Sequence, residues 1–192
     1  MTSYTQRSKL SCGPDALAFA AGTLNPLITQ AEVDKAWGID DIKKFGNIGD
    51  TPLNHFAALE RLKLNHSLIG SADICNGKGV NGQTVILIHD VPNDPDVRSI
   101  FTDLAKVWRQ NFNEHWIVLE SILRIGEAGY IKFHIGDGSV RKMRFDQFHR
   151  VFNAGFVRCA YVVGRGSRSI GFWARMKLRI AIAYSNFSGK FY

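Results

Sequence analysis

At Thr84 the hydrophobic period of this chain changes, and the change limits the possible folds more than any other feature. Before it, apolar residues recur at helical spacing; after it, they come in short continuous or alternating runs. Gly13-Pro14 with Asp15 predicts a helix start at Cys12, followed by the small and apolar Ala16-Leu17-Ala18-Phe19-Ala20-Ala21 and a stop at Gly22. Thr29-Gln30-Ala31-Glu32 predicts a capped second helix ending at Gly38, and Thr51-Pro52 opens a third through Leu62. Asp40 to Asp50 reads as a loop, and Ser71 to Gly82, rich in glycine, as irregular chain.

The β-branched run Thr84 to His89 then predicts a buried strand, and Asp96 to Gln110 a helix. Strands follow at His115 to Glu120 and Tyr130 to Ile135, the second ending in the turn Gly136-Asp137-Gly138-Ser139. A short helix at Phe145 to Phe152 and a strand at Phe156 to Val163 complete the pattern. Helices first and an antiparallel sheet second make the class α+β.

Within that pattern Cys12 is the candidate nucleophile. A thiol at a helix N-terminus feels its partial positive charge and unpaired N–H groups, which favour the thiolate and can stabilise an oxyanion. Gln6, six residues upstream, can supply a second oxyanion donor if the intervening loop folds back. The competing reading is a buried cysteine packing as a small hydrophobe. Thiol chemistry on an acyl group also needs an imidazole base and a group that orients it. His115 opens a strand after a loop, and Asp137 sits in the glycine-flanked turn one strand later, so adjacent antiparallel strands can make them neighbours. Taken alone, Asp137 is also an ordinary turn residue. His55, His66, His89, His134 and His149 read as surface or satisfied core histidines.

The order Gln6-x5-Cys12-Gly13, then His115-Trp116-Ile117-Val118-Leu119, then an aspartate at a glycine turn and a Phe145-x-x-Phe148 helix resembles the papain-like cysteine peptidases of the bacteriocin-processing, double-glycine type. The resemblance runs from about Gln6 to Val163. It implies a papain-like fold with N-terminal helices packed on a C-terminal antiparallel sheet, and hydrolysis of a peptide or protein substrate. It also implies Cys12 as nucleophile, His115 as general base, Asp137 as its orienter and Gln6 as oxyanion donor. Two departures stand out: Asp137-Gly138 where the family commonly has Asp-Pro, and a longer link from Asp90 to Glu114 that would bring an extra helix near the cleft. Deamidation and acyl transfer run on such folds as well. A different class of reading is a peptidase-like binding or structural module with no chemistry of its own.

Composition bounds the partners. Three cysteines without paired spacing make no disulfide framework and suit a reducing compartment. No metal-ligand spacing occurs among cysteines and histidines, so neither metal nor cofactor is expected. No secretory signal or membrane-spanning run is read. The net charge of +7 is uneven: residues 164–192 carry Arg165, Arg168, Arg175, Lys177, Arg179 and Lys190 and no acidic residue, while the rest holds 18 basic against 17 acidic residues. Residues 1–163 are therefore read as the peptidase-like domain and 164–192 as a basic, apolar-rich tail. In the tail Phe172, Trp173, Met176, Ile180 and Ala183 keep helical spacing, whereas Leu178, Ile180, Ile182 and Tyr184 alternate like a strand. The tail either packs on the domain as a last element or meets an anionic membrane, a nucleic acid or a protein assembly.

Overall fold

The computed structural model describes residues 4–8, 11–39, 51–79, 82–89, 95, 98, 101, 102, 106, 114–125, 128–154, 157–164 and 171–187. The loop expected over Asp40 to Asp50 lies outside them, as does most of the helix expected over Asp96 to Gln110 and of the long link that contains it.

The chain is α+β, an open six-stranded antiparallel sheet with helices on both faces. Three helices open it: α1 (Cys12–Leu24), α2 (Gln30–Trp37) and α3 (Pro52–Arg61). Gly22 does not stop α1, which continues to Leu24. The start of α2 is the expected capping box, in which Thr29 Oγ1 accepts from the Glu32 N–H at 3.3 Å and the Glu32 carboxylate accepts from the Thr29 N–H at 2.7 Å. Gly38 ends it with a left-handed φ of 88°.

The remaining elements are β1 (Asn65–Leu68), α4 (Ser71–Cys75), β2 (Thr84–His89), β3 (Glu114–Ile125), β4 (Ala128–His134), β5 (Val140–Arg144), α5 (Phe145–Asn153), β6 (Ala160–Gly164) and α6 (Phe172–Phe187). The strands lie in the order β1-β6-β2-β3-β4-β5, each pair antiparallel. Part of the stretch expected to be irregular is thus the helix α4, and β1 and β5 are strands that the hydrophobic pattern does not announce.

Central position explains the unbroken apolar run of β2, which is buried at all of Thr84 to His89. Val85 and Leu87 join Trp116, Val118, Tyr161 and Val163 against α1, α2 and α3. Ile86 and Ile88 join Ile117, Leu119, Phe133 and Met143 against α4 and α5 on the other face. The tail forms a helix rather than a strand, and Arg175 of α6 makes an ion pair with Glu60 of α3. Among the described residues, no helix is long and apolar enough to cross a membrane.

Candidate active site

Cys12 is the first residue of α1, with only 9% of its surface exposed. A strap formed by Tyr4 to Ser8 runs past it and is fastened at both ends. At one end the Tyr4 hydroxyl donates to the Cys12 carbonyl at 2.8 Å, the Gly138 N–H donates to the Tyr4 carbonyl at 3.1 Å, and Thr5 forms an antiparallel bridge with Asp137. At the other, Arg7 lies between two carboxylates, Asp15 on α1 and Asp34 on α2, with ion-pair distances of 2.7 Å to each. Asp15 also accepts from the Arg7 N–H at 2.7 Å and from the Ser11 hydroxyl at 2.6 Å. Burial raises the Asp15 carboxyl above its ordinary pKa, and the donors from Ser11 and Arg7 offset only part of that rise.

This strap buries Gln6. Its N–H donates to the Gly136 carbonyl at 2.7 Å, and its side-chain Nε2 donates to the Ser8 carbonyl. The same carbonyl receives the Ser11 N–H at 3.2 Å, so the Gln6 amide is one shared acceptor away from the residue preceding Cys12. Gln6 Oε1 is buried without a hydrogen-bond partner among the described residues.

His115, the second residue of β3, is fully buried, and its Nε2 lies 2.7 Å from the Ile135 carbonyl. Because a carbonyl only accepts, that nitrogen carries the proton and the basic lone pair is on Nδ1. The register sets His115 opposite Ile88, on the sheet face of Ile117, whereas Trp116 lies opposite Leu87 on the face that carries α1. Cys12 and His115 therefore approach the end of β4 from the two sides of the sheet. What joins them is the segment Ile135 to Gly138: His115 holds Ile135, Gln6 holds Gly136, Thr5 pairs with Asp137, and Tyr4 holds Gly138 as well as Cys12.

The Asp137 carboxylate has other partners. Its Oδ1 accepts from the Ser139 N–H at 2.7 Å and the Ser139 hydroxyl at 2.6 Å, and Arg141 lies 3.5 Å from Oδ2. Burial alone would raise this carboxyl, but the Ser139 donors and the Arg141 charge bring it below the ordinary range. The group bonded to His115 Nε2 is the Ile135 carbonyl, two residues before Asp137.

No short motif marks Tyr4, Arg7, Ser11 and Gly136 as the residues that fasten the strap. Asp15 was the available signal, a carboxylate in the first turn of a buried helix; that Arg7 would neutralise it depends on the strap's path and leaves no local mark. The other two thiols lie elsewhere. Cys75 ends α4 with its Sγ 3.6 Å from His149 Nε2, and Cys159 is fully buried; burial pushes both thiols above their ordinary pKa. His55 is a buried packing residue whose Nδ1 bonds to the Tyr161 hydroxyl between Trp37 and Trp116. No group of three or more metal-ligating side chains occurs among the described residues. No known family model and no curated protein sequence matches this chain.

Proposed function

We propose that the chain is a papain-like thiol hydrolase acting on peptide bonds, with Cys12 as nucleophile, His115 as proton-transfer base and Gln6 as oxyanion donor. What supports this reading is that Gln6 and His115 bond to Gly136 and Ile135, and that Tyr4, which holds Gly138, also holds the Cys12 carbonyl; because His115 lies on the sheet face opposite α1, its proton transfer has to reach the Cys12 side round the end of β4. In the proposed reaction the Cys12 sulfur attacks the scissile carbonyl carbon, and the oxyanion accepts from the Cys12 N–H and the second hydrogen of Gln6 Nε2. His115 takes the Cys12 thiol proton as the sulfur attacks and gives it to the leaving amine as the C–N bond breaks, leaving an acyl thioester. Water then attacks the thioester carbon while His115 takes its proton, and His115 returns that proton to the departing sulfur, releasing the carboxylic acid and the thiol. Asp137 acts as a positioning residue: by closing the turn on Ser139 it holds the Ile135 carbonyl that fixes the His115 tautomer.

The burial of Gln6, Cys12 and His115 favours a second reading, a peptidase-like module that binds a peptide without cleaving it. A peptide vinyl sulfone separates the two, with the labelled residue identified by mass spectrometry. Labelling at Cys12 at least tenfold faster than at Cys75 or Cys159, and lost in His115→Ala, is the expected result. Equal labelling of the three thiols, or full labelling of Cys12 in His115→Ala, rejects the hydrolase.

A further inference from the structure

The helix α6 turns an apolar stripe to solvent. Phe172, Trp173 and Ile180 are 65%, 75% and 62% exposed, and Ala183 beside them is exposed as well. At 3.6 residues per turn, Phe172, Ala183, Met176, Ile180 and Trp173 fall within an arc of about 100°. Lys177 lies about 40° beyond one margin of that arc and Arg179 about 20° beyond the other, both exposed. Arg175, further round toward α3, is the residue that pairs with Glu60. The helix is thus attached to the body by one side while its Trp-, Phe- and Ile-bearing side faces away. Nothing acidic occurs anywhere in residues 164–192 to balance these cations.

We infer that α6 is an in-plane anchor for an anionic lipid surface, with Phe172, Trp173 and Ile180 entering the headgroup–acyl boundary and Lys177 and Arg179 meeting lipid phosphates at its edges. Three features select this occupant. An apolar stripe with cations on both margins matches a layer that is apolar inside and anionic at its surface, and Lys and Arg keep their charges at that boundary by extending along it. A second copy docked stripe to stripe would bring like charges together. Nucleic acid would use the cations and could stack on Trp173, but it offers nothing to Met176 and Ile180. The helix is too short and too charged to cross a bilayer, so it would lie in the interface.

Co-sedimentation of the full chain with phosphatidylcholine vesicles, with and without phosphatidylglycerol, tests the anchor. Binding is expected only with phosphatidylglycerol, together with a Trp173-dependent blue shift of fluorescence, and should be lost near 1 M salt, where the Debye length is about 3 Å. Removing both cations in Lys177→Gln/Arg179→Gln should weaken partitioning on the order of 30-fold, roughly fivefold per charge. Trp173→Ser/Ile180→Ser should weaken it about tenfold or more. Both pairs change exposed side chains, and the charge pair leaves the apolar packing of α6 intact if the other should unfold. The anchor is overturned if the parent chain binds no anionic vesicles, or if it binds neutral ones equally well. It is also overturned if the charge pair binds as the parent does, if a labelled oligonucleotide binds in place of vesicles, or if the stripe proves to be buried in a dimer.

Discussion

Asp137 illustrates how a residue can belong to a candidate site without touching the group it was expected to orient. Its carboxylate closes the Gly136 to Ser139 turn through two donors from Ser139, with Arg141 nearby, and the turn in turn sets the Ile135 carbonyl against His115. Asp137→Ala removes the acceptor and leaves the Ser139 donors to find water, so it should cost about 1–3 kcal/mol in urea denaturation. Asp137→Asn keeps an acceptor oxygen for the Ser139 N–H and should cost less than half as much. Equal losses in the two variants would mean that charge rather than the local hydrogen bonds holds the turn. The position of this turn is readable from Gly-Asp-Gly, whose two glycines take φ of 88° and 83°, a conformation that side chains other than glycine enter at a cost. The direction of the carboxylate is not readable, because Ser139 two residues on and His115 one strand away are both within reach of an aspartate at such a turn. Likewise Cys12 at a helix start follows from Gly13-Pro14-Asp15, whereas its face of the sheet relative to His115 depends on strand register, which no short motif records.

Among the elements, those with burial on a full face are the ones legible in sequence. Strand β2 is buried on both faces and α3 carries one apolar side, so each leaves a pattern. The edge strands do not: β1 turns only His66 fully inward, onto Phe56, and β5 buries only Met143 among Arg141, Lys142 and Arg144. Their pairing comes from β6 and β4, and the charges along β5 suit an edge that must not pair further. Helix starts are similarly uneven. Thr29 and Thr51 are both N-cap residues, yet Thr29 completes a capping box while the Thr51 hydroxyl makes no cap bond and lies 3.4 Å from Asn54 Oδ1. Thr29→Ala should therefore cost about 1 kcal/mol of stability, and Thr51→Ala no more than about half of that, since Pro52 already pre-sets the first turn of α3. Equal costs measured by thermal unfolding would contradict the difference between the two caps. The tail gives the same lesson from the other side: two periodicities overlap in it, and attachment to α3 through Glu60 and Arg175 accompanies the helical one.

For the molecule as a whole, three histidines should make folding sensitive to mild acid. His66, His89 and His134 each have a pKa below the ordinary value, and in each case burial is the leading cause. The Val157 carbonyl on His89 and the Glu120 carboxylate 3.9 Å from His134 favour the charged forms but do not overcome it. A histidine whose folded pKa lies below its unfolded value of about 6.5 binds fewer protons when folded, so stability rises with pH between the two values. Its contribution is complete above about pH 6.5 and is lost as the pH falls through the folded values. Asp137, with a depressed carboxyl, acts in the same direction only at lower pH, below the ordinary carboxylate range; Asp15, with a raised one, acts in the opposite direction and opposes the histidines if its rise reaches their window. The urea midpoint should accordingly fall between about pH 7.5 and about pH 5.5, and the fall should shrink in His134→Gln, which keeps a polar side chain beside Glu120 but cannot take up a proton. A midpoint that stays level or rises over that interval, with the same course in His134→Gln as in the parent, would mean that the imidazoles reach solvent rather than that Asp15 offsets them, and the packing of β1, β2 and β4 against their helices would then have to be looser.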